Sequence, residues 1–67
     1  MILRVNGEHK EFSEEIKTLK HLIDALEIPC QRIALERNGE IEDPGSFELV
    51  DLQEDDRIEI VTFVGGG

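Results

Sequence analysis

Sixteen acidic side chains, two histidines and one cysteine are the groups in this 67-residue sequence that could act in acid–base, metal or nucleophilic chemistry. Their spacing assembles none of the usual sites. His9 and His21 fall on different elements, and nothing places them together with a carboxylate as a metal-ligand set. Both read as surface histidines. Cys30 follows Pro29 in a loop, with Arg32 as its one basic neighbour, and reads as a passive loop residue. With so many carboxylates, close pairs arise by chance and single out no acid–base dyad. The glycines of Asn6-Gly7 and Asn38-Gly39 are turn glycines, and no phosphate-cradling loop is present.

That leaves the carboxylate of Gly67. Gly65-Gly66-Gly67 directly follows the strand-like run Arg57 to Phe63, so a stiff element hands over to a tail without side chains. Such a tail fits a channel too narrow for a Cβ, and fully extended its glycines reach about 10 Å beyond the strand. A terminal carboxyl with an ordinary pKa of about 3.3–3.7 is an anion at neutral pH and a poor electrophile. Acyl chemistry at Gly67 therefore needs activation from outside, most simply as a mixed anhydride with a nucleotide phosphate. A partner holding Mg²⁺-bound ATP would do this, and the activated carbonyl could then accept sulfur or an amine. On this reading the chain is a co-substrate of other enzymes and has no catalytic residues of its own. It binds no cofactor itself; ATP and Mg²⁺ belong to the partner.

The rest of the sequence sets up that tail. Asn6-Gly7 between Ile2–Val5 and Glu8–Phe12 is a strong hairpin signal, with Leu3 and Val5 on one face and Ile2 and Arg4 on the other. Thr18 suits a helix N-cap, and Leu19, Leu22, Ile23 and Leu26 form one apolar stripe at helical spacing. Pro29 requires the helix to end by about Glu27. Ile33–Arg37 reads as a strand with Ile33 and Leu35 inward, and Asn38-Gly39 turns the chain into Glu40–Glu42. After the turn cluster Asp43-Pro44-Gly45-Ser46, the residues Phe47, Leu49, Val50 and Leu52 should cover one edge of the core. Glu54-Asp55-Asp56 reads as a polar turn into the last strand.

The expected fold is α+β, one helix packed on one face of a small mixed sheet. The first and last strands can pair in parallel at its centre. Residues 1–64 form the folded unit and residues 65–67 the tail. With Ile58 and Ile60 inward, Glu59, Val61 and Phe63 point to the opposite face, joined there by Ile2 and Ala34. Val61 and Phe63 are either a docking patch at the root of the tail or a minor core over the sheet's end.

Composition bounds the partners. The formal charge of −9 disfavours nucleic acid and anionic membranes and favours a partner with a basic docking face. A single cysteine rules out an internal disulfide framework and fits a reducing compartment. With no apolar run near the roughly 20 residues of a membrane span and no leader pattern, the expectation is cytoplasmic.

Asn38-Gly39-Glu40-Ile41, the run Asp55-Asp56-Arg57-Ile58-Glu59-Ile60-Val61 and the terminal Gly66-Gly67, taken with the element order, resemble ThiS-type sulfur carriers of the ubiquitin-like β-grasp family. The resemblance covers nearly the whole chain. It implies a β-grasp fold and a role in thiamine biosynthesis. A ubiquitin-activating-like (ThiF-type) enzyme would adenylate Gly67, and a sulfur donor system would convert it to a thiocarboxylate. A ThiG-type thiazole synthase would take the sulfur. Gly65, Gly66 and Gly67 would thread the partner's active site, with Val61 and Phe63 on the strand that meets partners.

The chain departs from that pattern twice. Asp55 stands where the family often has glycine, which should alter the turn before the last strand. Glu42-Asp43 and Phe47 stand where the family often has a basic residue and a tryptophan, which bears on partner contacts. Three other readings remain open on the sequence: the small sulfur-carrying subunit of molybdopterin synthase or of another sulfur pathway, a protein modifier joined to lysines, and a plain binding module.

Overall fold

A computed structural model of the chain describes residues 1–29 and 32–62. Strand β1 (Ile2–Val5) and strand β2 (Glu8–Glu11) form the first hairpin, followed by helix α1 (Leu19–Ala25). Strands β3 (Ile33–Arg37) and β4 (Glu40–Glu42) form a second hairpin, then a 3-10 helix (Pro44–Leu49) and strand β5 (Arg57–Thr62). The sheet has five strands in the order β2-β1-β5-β3-β4, so the last strand inserts between the two hairpins. It runs parallel to β1 and antiparallel to β3. The expected α+β architecture and the parallel pairing of first and last strands are both present.

Both hairpins turn as their Asn-Gly pairs require. Asn6 and Gly7 have φ of 51° and 83°, and Asn38 and Gly39 have φ of 53° and 88°. Two successive left-handed residues match the twist of the flanking strands. Register follows from the turns and places every inward residue on one face, where Leu3, Val5, Ile33, Leu35, Ile58 and Ile60 are buried.

Helix α1 covers that face. Leu19, Leu22 and Ile23 are at most 1% exposed, while Lys20 and Asp24 lie on the outer side and pair at 2.7 Å. Thr18 caps the helix by accepting from the His21 amide at 3.2 Å. His21 answers by accepting from the Lys17 and Thr18 amides through Nδ1 at 3.1 and 3.3 Å, closing a capping box with histidine in the usual Glu or Gln place. A residue read from sequence only as a surface histidine therefore has a structural part. The other end closes earlier than Pro29 alone demands. Glu27 turns left-handed (φ 57°), and Ile28 and Glu27 donate back to the Ile23 and Asp24 carbonyls at 3.2 and 3.1 Å.

The 3-10 helix seals the core's open side. Asp43 starts it, its carboxylate accepting from the Gly45 amide at 3.1 Å, and Pro44 occupies the first helical position. Phe47 is 1% exposed and is among the largest fully buried side chains. Backbone bonds from Leu19 to Val50 (3.1 Å) and from Leu52 to Lys17 (2.8 Å) tie this segment to the start of α1. Phe47 and Leu52 cover the core as expected and Val50 packs against it, but Leu49 is 82% exposed. The 3-10 rotation that aims Phe47 inward turns Leu49 out, a phase that irregular spacing does not reveal. No helix of the described residues is long and apolar enough to cross a membrane.

Candidate functional site: the last strand and the open face of the sheet

β5 is the element that leads to the tail, and three side chains outside the regular ladder fix it. Its parallel pairing with β1 supplies bonds from Arg4 to the Asp56 carbonyl and from Asn6 to the Ile58 carbonyl, each 2.9 Å. Beyond Asn6 the chain turns away, and the next β5 amide on that side, of Ile60, donates instead to the Asn6 side-chain oxygen at 2.7 Å. At the start of β5 the Asn38 side-chain oxygen accepts from the Arg57 amide at 2.9 Å. Each turn asparagine thus supplies left-handed backbone to its own hairpin and an acceptor to β5. Sequence reasoning found the turns but not the second task. The available signal was the amide: asparagine, unlike glycine, brings a carbonyl that can reach a neighbouring strand.

The third anchor is Asp56, read from sequence as part of a polar turn. It is 5% exposed. Its carboxylate accepts from Arg37 Nε at 2.9 Å, Asn38 Nδ2 at 2.9 Å and the Gln53 amide at 2.8 Å. Burial alone would raise its pKa, but the bonds from Asn38, Gln53 and Arg37, with the charge of Arg37, together hold it below the ordinary value. This cluster joins the β3–β4 turn to the loop entering β5. Asp55 just before it sits at φ 67°, so the chain adopts a left-handed backbone of the kind glycine favours, with aspartate in place. The residue that departs from the family pattern thus holds a left-handed backbone at a higher cost than glycine would.

The expected parity of β5 holds where it is described. Ile58 and Ile60 are buried, and Glu59 and Val61 are exposed, Val61 by 60%. Val61 stands directly opposite the exposed Ala34 of β3, and Ile2, 39% exposed, lies on the same uncovered face. Phe63, Gly65, Gly66 and Gly67 lie outside the described residues, as does Cys30. The structure thus brings Val61, Ala34 and Ile2 onto one face.

Cross-strand register orders the remaining residues of that face into rows. His9, Arg4 and Arg57 are neighbours across β2, β1 and β5. Two residues along β5, the next row is Glu59, Glu36 and Ile41, and the one beyond it is Val61 and Ala34. Among the described residues no ion pair engages the side chain of Arg4, Arg57, Glu36 or Glu59. His9 and His21 stay on separate elements, one in the first row and the other at the helix cap.

Comparison with known proteins extends this picture to the end of the chain. The family model for the ThiS family matches residues 3–67. The chain is 33% identical over 66 residues to the sulfur carrier protein ThiS of Bacillus subtilis, covering 98% of this chain and 100% of that one. It is also 39% identical over all 67 residues to a thiazole synthase of Paramagnetospirillum magneticum, of whose length it spans 20%. A thiazole synthase of Magnetococcus marinus matches similarly, so the chain spans about a fifth of these two relatives. The crystal structure of the thiamine biosynthesis protein ThiS from Geobacter metallireducens superimposes with a TM-score of 0.84 at 28% identity, covering both chains completely. Strand order, insertion of β5 between the hairpins and a sequence match running through Gly67 converge: this chain belongs to the ThiS family and has its ubiquitin-like β-grasp fold.

Proposed function

We propose that the chain carries sulfur as a thiocarboxylate on Gly67 and delivers it for thiazole formation. The coarse part of this reading comes with the family: a ThiS-family member is a sulfur carrier protein of thiamine biosynthesis. The observation that carries the finer part is that the family match runs to residue 67 and so includes Gly65, Gly66 and Gly67. In this proposal a ThiF-type activating enzyme adenylates the Gly67 carboxylate with Mg²⁺-bound ATP, releasing pyrophosphate. A sulfur donor then displaces AMP, and the resulting thiocarboxylate gives its sulfur to a ThiG-type thiazole synthase. That a segment similar to this chain occurs within thiazole synthases supports the last partner.

The chain's own part is mechanical. β5 is anchored at its start by Asn38 and Asp56 and along its length by Asn6, so the strand that leads toward the proposed tail of residues 65–67 is fixed as far as Thr62. A fixed root lowers the freedom lost when a tail is ordered in a partner's channel. The exposed Val61 beside Ala34, with Phe63 further along, gives an apolar docking point at that root. The role is that of a non-catalytic co-substrate, and its setting is the cytoplasm.

The experiment is incubation with an activating enzyme, ATP and a sulfur donor, followed by selective alkylation of the thiocarboxylate. A Cys30→Ser background keeps the cysteine from competing for the label. ATP-dependent label mapped to Gly67 supports the proposal. No label, with the activating enzyme active on another carrier, overturns it.

A further inference from the structure

An Asn-Gly pair has a chemistry besides turning the chain. The glycine amide nitrogen can attack Cγ of the asparagine side chain, because no Cβ on glycine hinders its approach. The N–Cγ bond forms, the Cγ–Nδ2 bond breaks, and the proton of the glycine amide leaves with Nδ2 as ammonia. Water then opens the five-membered imide at either carbonyl, giving aspartate or its β-linked isomer. No enzyme or further co-reactant is needed. This chain has two such pairs, Asn6-Gly7 and Asn38-Gly39, and all four residues are exposed. A side-chain carbon added at either glycine would meet nothing within 4 Å, so the space beside both nucleophiles is open.

The two turns share a left-handed backbone but hold their side chains differently. At Asn6, Oδ1 accepts from the Ile60 amide at 2.7 Å, while Nδ2, the group that must leave, has no hydrogen bond among the described residues. At Asn38 both ends of the amide are held. Its Oδ1 accepts from the Arg57 amide at 2.9 Å, and its Nδ2 donates to Asp56 Oδ1 at 2.9 Å. Asp56 is 5% exposed and is itself fixed by Arg37 and the Gln53 amide.

We infer that Asn6 is a site of spontaneous deamidation, and that Asp56 holds Asn38 back from the same reaction. Closing the imide ring takes the asparagine out of its hairpin-turn dihedrals, so each site reacts from a locally opened turn and at a rate set by how often that turn opens. Opening at Asn6 gives up one side-chain bond. Opening at Asn38 gives up two, one of them to a carboxylate and therefore the stronger kind. The products differ as well. An aspartate at position 6 still offers an oxygen to the Ile60 amide and keeps that anchor of β5. An aspartate at position 38 sets a second carboxylate against Asp56, where a donor now stands, and loosens the start of β5. Protection therefore falls on the turn where the change does more harm. The inference does not depend on the carrier reading, because both sites lie in the fold and not in the tail.

The test follows deamidation of the wild-type chain at each turn by peptide mapping, in native buffer and in guanidinium chloride, with the β-linked isomer scored by an isoaspartyl methyltransferase. The rate in denaturant is the intrinsic reactivity of each pair. The ratio of denatured to native rate is then the protection at that turn, free of the differing neighbours Val5 and Arg37. The native chain should accumulate product at Asn6 first, and protection at Asn38 should exceed that at Asn6 by ~10-fold, the share of one hydrogen bond to a charged group. Asp56→Asn should lower protection at Asn38 several-fold more than at Asn6. Among variants that carry the product, Asn6→Asp should melt with wild type, and Asn38→Asp should melt lower or fail to fold. Equal protection at the two turns, or native reaction at Asn38 ahead of Asn6, overturns the inference. A native chain in which Asn6 never reacts, while it does so in denaturant, overturns it too. So does an Asp56→Asn chain that loses protection equally at both turns, or a melting order of the two aspartate variants that is reversed.

Discussion

The two faces of the sheet are built from the same strands by alternation, yet they obey different rules. On the helix side, Leu3, Leu35 and Ile58 are at most 1% exposed and meet α1 and Phe47. On the open side, the residues between them in sequence, Arg4, Glu36 and Glu59, sit beside groups of their own sign. The closed face is what minimising free energy within one chain produces: apolar surface leaves water, and Asp56, the buried charge, has its bonds satisfied. The open face carries unfavourable neighbours that a single exchange on β5 would relieve. A fold of this size has little stability to spare, so even pairs that cost about 0.2–1 kcal/mol count against it.

That contrast can be broken from the closed side first. Phe47→Ala removes the aromatic plug between α1 and the 3-10 helix and should cost about 3–5 kcal/mol. A chain of this length has roughly 3–10 kcal/mol in total, so the variant should be largely unfolded in urea titrations that leave wild type folded. Asp56→Ala comes next. It leaves Arg37 and Asn38 without their acceptor and should cost about 3 kcal/mol, read from the same titration. Acid should act through the same group. Because the folded pKa of Asp56 is lowered, its contribution is complete above its unfolded value of about 3.9 and is lost as pH falls through the folded value. Asp56→Asn should therefore be less stable at neutral pH and show a flatter loss of stability below about pH 4.

On the open side the expected pattern inverts. Val61→Asp should change stability by less than about 1 kcal/mol, since the position is 60% exposed, while slowing activation by the partner several-fold. If Val61→Asp unfolds the chain, Val61 is core and the comparison fails. Gly67→Ala, beyond the described residues, should slow adenylation with no change in melting if the proposed channel admits no methyl group. Normal adenylation of that variant would remove the narrow channel from the argument. The smallest effects are gains. Glu27 and Asp55 hold left-handed backbone without being glycine, and Glu27→Gly or Asp55→Gly should each add up to about 1 kcal/mol in thermal melts.

Much of the fold was legible because its signals are local. Asn6-Gly7 and Asn38-Gly39 each specify a turn from two adjacent residues. Thr18 with the stripe Leu19, Leu22 and Ile23 specifies a capped helix within two turns. Alternation specified which residues of β3 and β5 face inward. What escaped were roles that depend on where a side chain points, whether its partner is near in sequence, as for His21, or distant, as for Asp56. His21 was legible as exposed but not as the reciprocal half of the cap. Leu49 fell on the wrong side because a 3-10 turn repeats every three residues, so positions two apart, such as Phe47 and Leu49, do not share a face as they would in a strand. Asp56 looked like one more acid in a polar turn.

The sequence by itself determined the elements, their inward faces and the family to which the chain belongs, because propensity, turn chemistry and periodicity act over a few residues. Only the tertiary structure decided that β5 enters between the two hairpins in its observed register. That placement sets Arg57 beside Arg4 and Glu59 beside Glu36, buries Asp56 against Arg37, and gives Asn6 and Asn38 their second bonds. The reason is physical: these pairings join residues brought close only when the whole sheet closes, and burial of the apolar inner face drives that closure.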